Sequence, residues 1–242
     1  MHSKTKIIGI LGGMGPEATL FFYEKIIKFT KANKDQEHIP TLIFSNTKIP
    51  DRTNAILKKD HKRIIKELTN TAKILEKSGA KFIVIPCNTA HYYINEIRRS
   101  VKIPVLDMIE ETAKYISKKN KKIGKNIGLL ATKGTLSTEI YQNKFKDFGI
   151  NILIPKKETQ EKVMKAIYDI KANGPSKESR KLIDEAIKEL REENKVKLII
   201  LGCTELPLLF KKSITENIKR GIIDPMDILA KKAILKAGGK IK

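Results

Sequence analysis

Two cysteines, Cys87 and Cys203, occupy matching positions in the two halves of the chain. Each follows a short apolar segment typical of a buried parallel strand, and each is followed at once by small polar residues that could open a helix. Ligands bind at the carboxyl ends of strands in open α/β sheets. We therefore expect both thiols at the functional edge of a sheet, where a helix N-terminus could lower a thiol pKa.

A pair of thiols suits the inversion of a stereocentre. One thiolate would remove the proton from Cα on one face, the other thiol would deliver a proton to the opposite face, and the roles would exchange for the other enantiomer. Hydrogen-bond donors near the substrate carboxylate would stabilise the carbanion. Asn88, Thr89 and Thr204 could supply them, although Asn and Thr are equally common as helix caps. A single buried cysteine is more often a small apolar residue, and it is the matched pair that favours function.

Three further features of the sequence bear on its chemistry. Arg52 lies in the loop after the second expected strand, and its guanidinium could bind a carboxylate with two hydrogen bonds. His91 lies one helical turn after Cys87, and a Cys–His nucleophile pair is one alternative for it. We expect a structural or supporting role instead, because its side chain would run away from the strand end. The two cysteines and the scattered histidines lack the spacing of a metal site, so no metal is expected.

The glycine-rich segment after the first expected strand matches a dinucleotide-binding fingerprint at Gly13, Gly15 and Ala18. No acidic residue ends the second strand to bind a ribose, and a tight turn that presents backbone N–H groups to a small carboxylate fits equally well. We therefore expect no dinucleotide at this segment.

The composition narrows the function classes. The chain has 242 residues, enough for one large domain or two small ones, and a formal net charge of +22. No apolar run approaches the roughly 18 residues of a membrane span, and the N-terminus lacks a signal peptide, so we expect a cytoplasmic protein with reduced thiols. The lysines are scattered among acidic residues and no nucleic-acid module is present, so the charge predicts only non-specific attraction to nucleic acid and would help attract an anionic substrate.

Strand and helix patterns alternate along the chain, which predicts an α/β fold. The pattern restarts near Asn126, and this weak internal repeat predicts two similar α/β units that share a cleft. We expect a first domain of residues 1–106 plus 214–242 and a second of residues 107–213. The expected strands include 7–11, 41–45, 82–86, 103–107 and 151–155, and the expected helices include 16–31, 89–99, 159–170, 177–193, 226–236 and one that ends in the lysine-rich segment 118–122.

Five segments that span the chain are informative when taken together: residues 9–19, 49–52, 86–91, 128–135 and 201–206. In this order they resemble the aspartate/glutamate racemase superfamily, and most closely its aspartate racemase branch. The Gly-Gly-Met-Gly loop at residues 12–15 replaces the Asp-Ser that is usual in the glutamate racemase branch, which argues against that branch.

The resemblance implies a cofactor-independent racemase that interconverts L- and D-aspartate. It also implies two pseudo-symmetric domains, each a mostly parallel sheet flanked by helices, with the site between them, and a homodimer. Cys87 and Cys203 match the two bases of the family. Arg52 matches the group that binds the side-chain carboxylate, and Lys171 resembles its partner. The positions that match the rest of the substrate pocket are Met14, Asn88, Thr89, Thr132 and Thr204.

Other functions remain open at this point. A glutamate racemase, a broad-specificity racemase, or a decarboxylase or cis–trans isomerase of small dicarboxylates would also use cysteines at strand ends. A basic module that binds dinucleotides or nucleic acid is the alternative from a different class.

Overall fold

The computed structural model describes residues 5–118, 124–210 and 220–242. The chain forms two compact units, one of Met1–Glu111 with Met226–Lys242 and the other of Thr112–Pro225. The expected domain junction at residues 213 and 214 and most of the lysine-rich segment lie outside the described residues. None of the described helices combines the length and apolar character needed to span a bilayer.

The first unit contains a parallel sheet of three strands with the order β2-β1-β3. β1 is buried along its whole length, which fits its unbroken apolar sequence. The strands are β1 (Ile8–Gly12), β2 (Thr41–Ser45) and β3 (Phe82–Val84).

Helices surround this sheet, and a buried apolar face of α3 packs in one cluster with Leu11, Met14 and Cys87. β1 approaches α3 and the loop after it closely, because a Cβ at Gly9 would lie 3.5 Å from the Cβ of Leu75 in α3 and 2.9 Å from that of Ala80 in the loop. The helices are α1 (Pro16–Phe29), α2 (Arg52–Leu57), α3 (Lys62–Lys77), α4 (Ile94–Ser100) and α5 (Met108–Ser117).

The C-terminal helix, Pro225–Ala237, returns to the first unit. Its Asp227 pairs with Lys25 of α1 at 2.5 Å, with both side chains buried. The amide of Lys6 donates to the carbonyl of Ala237 at 2.9 Å, and the amide of Lys242 donates to that of Phe29 at 2.9 Å. Both ends of the described chain therefore belong to the first unit.

The second unit contains a parallel sheet of four strands with the order β5-β4-β6-β7. Two long helices, α8 and α9, carry about half of the buried residues of its core, and a Ser176 capping box begins α9. The elements are β4 (Asn126–Ala131), α6 (Lys133–Ser137), α7 (Ile140–Lys146), β5 (Asn151–Leu153), α8 (Lys157–Asn173), α9 (Lys177–Glu192), β6 (Ile199–Gly202) and β7 (Ile222–Ile223).

The two sheets share one strand order, because β2-β1-β3 corresponds to β5-β4-β6. The correspondence extends further: Val105 forms a parallel bridge to Ile83 of β3, just as Ile222 pairs with Ile199 of β6. Each of these segments then continues into an aspartate and a helix, α5 in the first case and the C-terminal helix in the second. The protein is therefore an α/β protein with two pseudo-symmetric parallel sheets flanked by helices.

Four expected elements differ from the structure. Residues 103–107 form a single bridge and not a strand. β3 ends at Val84, before Pro86, and β5 ends at Leu153, before Pro155, because proline cannot donate a hydrogen bond to a sheet. Residues 89–99 divide into a 3₁₀ helix, Thr89–Tyr93, and α4.

Candidate active site

Cys87 lies three residues beyond β3 and its side chain is buried, with 5% exposed. Its amide donates to the carbonyl of Ile85 at 2.8 Å, which makes a tight turn at the end of the strand. Asn88 and Thr89 follow on the same turn and are also buried. The strand therefore delivers one thiol, one amide and one hydroxyl to the carboxyl end of the first sheet.

His91 fixes this turn without contacting the thiol. Its Nδ1 lies 2.8 Å from the Cys87 carbonyl oxygen, and its Nε2 lies 3.0 Å from the amide of Met108. Nδ1 must therefore carry the hydrogen and Nε2 must accept one, which defines a neutral tautomer. Burial lowers the pKa of His91, in agreement with a neutral ring. The structural role expected for His91 agrees with these contacts.

Arg52 begins α2, where the Asp51 side chain accepts a hydrogen bond from the Asn54 amide and caps the helix. Its guanidinium is buried and donates to the carbonyls of Pro50 and Met14, each at 3.2 Å. Its Nε has no hydrogen-bond partner among the described residues. A buried cation fixed by two carbonyls is suited to an anionic ligand.

The glycine turn after β1 positions the Met14 carbonyl that Arg52 contacts. Gly13 has φ +89°, and a Cβ there would lie 2.4 Å from the carbonyl carbon of Asn46. Only glycine fits this close approach between the turn and the residue after β2. This close approach accounts for Gly13 without a dinucleotide.

Cys203 directly follows β6 and is buried, with 5% exposed. Its thiol donates to Glu205 Oε2 at 2.9 Å, and the Thr204 hydroxyl donates to the same oxygen at 3.3 Å. Burial, and next the negative charge of Glu205, raises the pKa of the Cys203 thiol well above its ordinary value, and Lys171 lowers it by less.

The expected lowering of the thiol pKa by a helix N-terminus is therefore wrong for Cys203. The residues after it form a turn and then a four-residue 3₁₀ helix, Leu206–Leu209. So short a helix has a small dipole. The opposing effects of burial and Glu205 dominate.

Thr132 and Lys171 complete the expected residues of the second unit. Thr132 caps α6 by accepting from the Thr135 amide at 3.1 Å. Because Ala131 pairs with Gly202, Thr132 and Cys203 are the first residues beyond two neighbouring strands. Lys171 lies on α8 with an exposed side chain, its Nζ 5.6 Å from the centre of the Tyr168 ring.

The expected residues thus fall into two sets at the carboxyl ends of the two sheets. The sets are Met14, Arg52, Cys87, Asn88 and Thr89 in the first unit, and Thr132, Lys171, Cys203 and Thr204 in the second.

Sequence reasoning missed two further residues, Glu205 and Gln160. Gln160 of α8 is buried, donates from Nε2 to the Ala131 carbonyl at 2.9 Å and leaves Oε1 without a partner among the described residues. The sequence signal that could have indicated Glu205 is an acidic residue two positions after a cysteine.

Comparison with known proteins identifies the family. The Asp/Glu/hydantoin racemase profile matches residues 11–233. The structure is similar to Picrophilus torridus aspartate racemase, with a TM-score of 0.85 and 36% identity over 98% of this chain and 96% of that one. It is also similar to an aspartate racemase homologue from Pyrococcus horikoshii OT3, with a TM-score of 0.75 and 29% identity over 97% and 99% of the two chains. The broad specificity amino-acid racemase RacX of Bacillus subtilis is 32% identical over 94% of this chain and 96% of its own. The chain belongs to the Asp/Glu/hydantoin racemase family.

Proposed function

We propose that this protein is a cofactor-independent racemase that interconverts L- and D-aspartate, with Cys87 and Cys203 as the acid–base pair. One observation carries the proposal: β3 and β6 occupy equivalent positions in the two sheets, and a buried thiol lies just beyond the end of each. A repeated fold that repeats its thiol supplies the two groups that a two-base inversion requires.

The proposed reaction needs only proton transfers. One cysteine thiolate takes the proton from Cα, and the electron pair of the broken C–H bond delocalises into the α-carboxylate. The other thiol then gives its proton to the opposite face of Cα and becomes a thiolate. The opposite enantiomer reacts by the same steps with the two cysteines exchanged.

The substrate would be recognised through its charges. The buried Arg52 guanidinium would bind the side-chain carboxylate, and Lys171 would add a second positive charge. Met14 would fix Arg52 through its carbonyl. The donors for the α-carboxylate, and the groups around the amino group, would be Asn88, Thr89, Thr132 and Thr204.

A broader substrate range is the second candidate, because RacX, to which the chain is similar, is described as broad in specificity. Aspartate is favoured by the likeness to an aspartate racemase and by the buried cation at Arg52. A panel of aspartate, glutamate and neutral amino acids separates the two. Racemisation of neutral amino acids at rates equal to aspartate would contradict the aspartate assignment.

The proposal also places the enzyme in the cytoplasm as a homodimer. Light scattering coupled to gel filtration measures the mass in solution. A mass of one chain, 27.4 kDa, would contradict the dimer.

The decisive experiment tests each thiol alone. Cys87→Ala and Cys203→Ala should each reduce racemisation of aspartate by about 10³-fold, because general acid–base groups contribute about 10²–10⁴-fold. In deuterated water, each variant is followed for exchange of the Cα proton of each enantiomer by NMR and for optical inversion by chiral chromatography. Racemisation of aspartate at the wild-type rate by either variant would contradict the two-thiol mechanism.

A further inference from the structure

The two thiols differ in their immediate partners. The sulfur of Cys203 is hydrogen-bonded to Glu205 Oε2 at 2.9 Å, and both residues are 5% exposed. No carboxylate is hydrogen-bonded to the sulfur of Cys87 within the described ranges. His91 contacts the carbonyl of Cys87 and not its sulfur. The repeated fold therefore surrounds its two thiols with different chemistry.

A carboxylate at this distance favours a protonated sulfur. Loss of the proton would break the S–H···O hydrogen bond and place two negative charges next to each other in a site with little water. The charged groups that act on Cys203 are Glu205 from its own turn and Lys171 from α8. Lys171 is exposed, so solvent screens it more than Glu205, and its attraction for a thiolate does not balance burial and the carboxylate.

We propose that Glu205 is a positioning residue that keeps Cys203 as the thiol in the substrate-free protein, so that Cys203 is the acid and Cys87 the base when catalysis begins. This inference rests on the proposed function. Starting from this state, Cys87 takes the Cα proton and Cys203 gives its S–H proton to the other face, which leaves a thiolate beside Glu205. The resting state returns when Cys203 takes a proton from water and Cys87 releases one, or when the opposite enantiomer reacts.

Glu205→Gln tests the inference, because it keeps the shape of the side chain and removes its charge. Glu178→Gln on α9 is the matched control, since it makes the same change at a side chain that is 61% exposed. The intact proteins are alkylated with iodoacetamide across a pH series, and the cysteine peptides are quantified separately by mass spectrometry. We expect the pH of half-maximal reactivity of Cys203 to fall by about one unit in Glu205→Gln and to stay unchanged in the control.

The pH profile of kcat/KM provides a readout that a purely structural role would not move. This parameter reports ionisations of the free enzyme, and loss of the Cys203 proton should define its basic limb. Glu205→Gln should move that limb to lower pH by the same amount as the alkylation curve. The shift must be equal in the L-to-D and D-to-L directions, because the equilibrium constant of a racemisation is one.

The outcomes separate the inference from the proposed function. Unshifted alkylation of Cys203 in a folded Glu205→Gln variant that still racemises aspartate would overturn the inference alone. A shifted alkylation curve in a protein that racemises no acidic amino acid would support the role of Glu205 in keeping Cys203 protonated. The same result would overturn the racemase proposal. Glu205→Asp, which keeps the charge, should restore most of the wild-type alkylation curve, and far-UV circular dichroism confirms that each variant is folded.

Discussion

The turn after β3 and the turn after β6 place a cysteine at the same topological position but fix it by different means. In the first turn, His91 binds the backbone carbonyl of Cys87. In the second, Glu205 binds the sulfur of Cys203 itself. The repeated sheet order therefore determines where the thiols lie, and the residues two to four positions later determine how each is held. Equivalent positions need not have equivalent chemistry.

The positive charges of the two units differ in the same way. Arg52 is buried and donates to two backbone carbonyls, whereas Lys171 is exposed on a helix beside Tyr168. A desolvated cation interacts with an anion more strongly than a solvated one. We therefore expect the first unit to contribute more to binding the substrate side chain than the second.

Among the differences between the two units, the largest effect should come from removing these two cations separately. Arg52→Met should lower kcat/KM for aspartate by about 30-fold or more, since loss of a buried charge pair costs about 2–5 kcal/mol. Lys171→Met should lower it by about 10-fold or less, as expected for an exposed charge. Steady-state kinetics at two salt concentrations measure both. Equal losses of kcat/KM in the two variants would contradict the expectation that the first unit contributes more to substrate binding.

A smaller effect should follow from removing the two hydrogen bonds by which His91 holds the Cys87 turn. His91→Leu leaves the Cys87 carbonyl and the Met108 amide without their partner, so the free energy of unfolding should fall by about 2 kcal/mol. Urea denaturation measures this change. His38→Leu, at a half-buried position, is the control and should stay within about 0.5 kcal/mol of the wild type. A stable His91→Leu variant would mean that the turn is held by its backbone alone.

The smallest effect should be a pH dependence of stability that belongs to the first turn alone. Burial lowers the pKa of His91 in the folded state, and an unfolded histidine titrates near about 6.5. As pH falls below this value, the unfolded chain takes up a proton that the folded chain does not, so the stability present above about pH 6.5 is lost by up to about 1.4 kcal/mol per pH unit. Urea denaturation at several pH values should show a flatter dependence in His91→Leu than in the wild type. Identical slopes would exclude His91 as the group responsible.

Much of this arrangement could be predicted from residue order. Apolar segments that end in cysteine predicted the positions of β3 and β6 and of the two thiols just beyond them, because strand periodicity and strand ends are local properties. The Arg52 loop could be recognised in the same way, because a scarce residue type in a polar loop is visible in the sequence.

The differences between the two turns could not be predicted, because they depend on the directions of side chains. Glu205 lies two residues from Cys203, and nothing in that spacing shows whether its carboxylate meets the sulfur or the solvent. The raised pKa of Cys203 follows from that contact and from burial, and both were missed. The expected strand at residues 103–107 is a single bridge from Val105 to β3, because an isolated bridge and a complete strand have similar apolar sequences. The correspondence of Asp107 with Asp224 depends on the pairing of β7 with β6, which the order of residues does not reveal.

The return of the C-terminal helix to the first unit affects how the protein is made. The ribosome adds residues 226–242 after every residue of the second unit, and domains generally fold as units during synthesis. The second unit is therefore complete in sequence while the first still lacks Asp227, the ion-pair partner of Lys25. The half of the molecule that leaves the ribosome first is thus the last to be finished, and a premature stop codon near residue 225 would damage the beginning of the protein more than its middle.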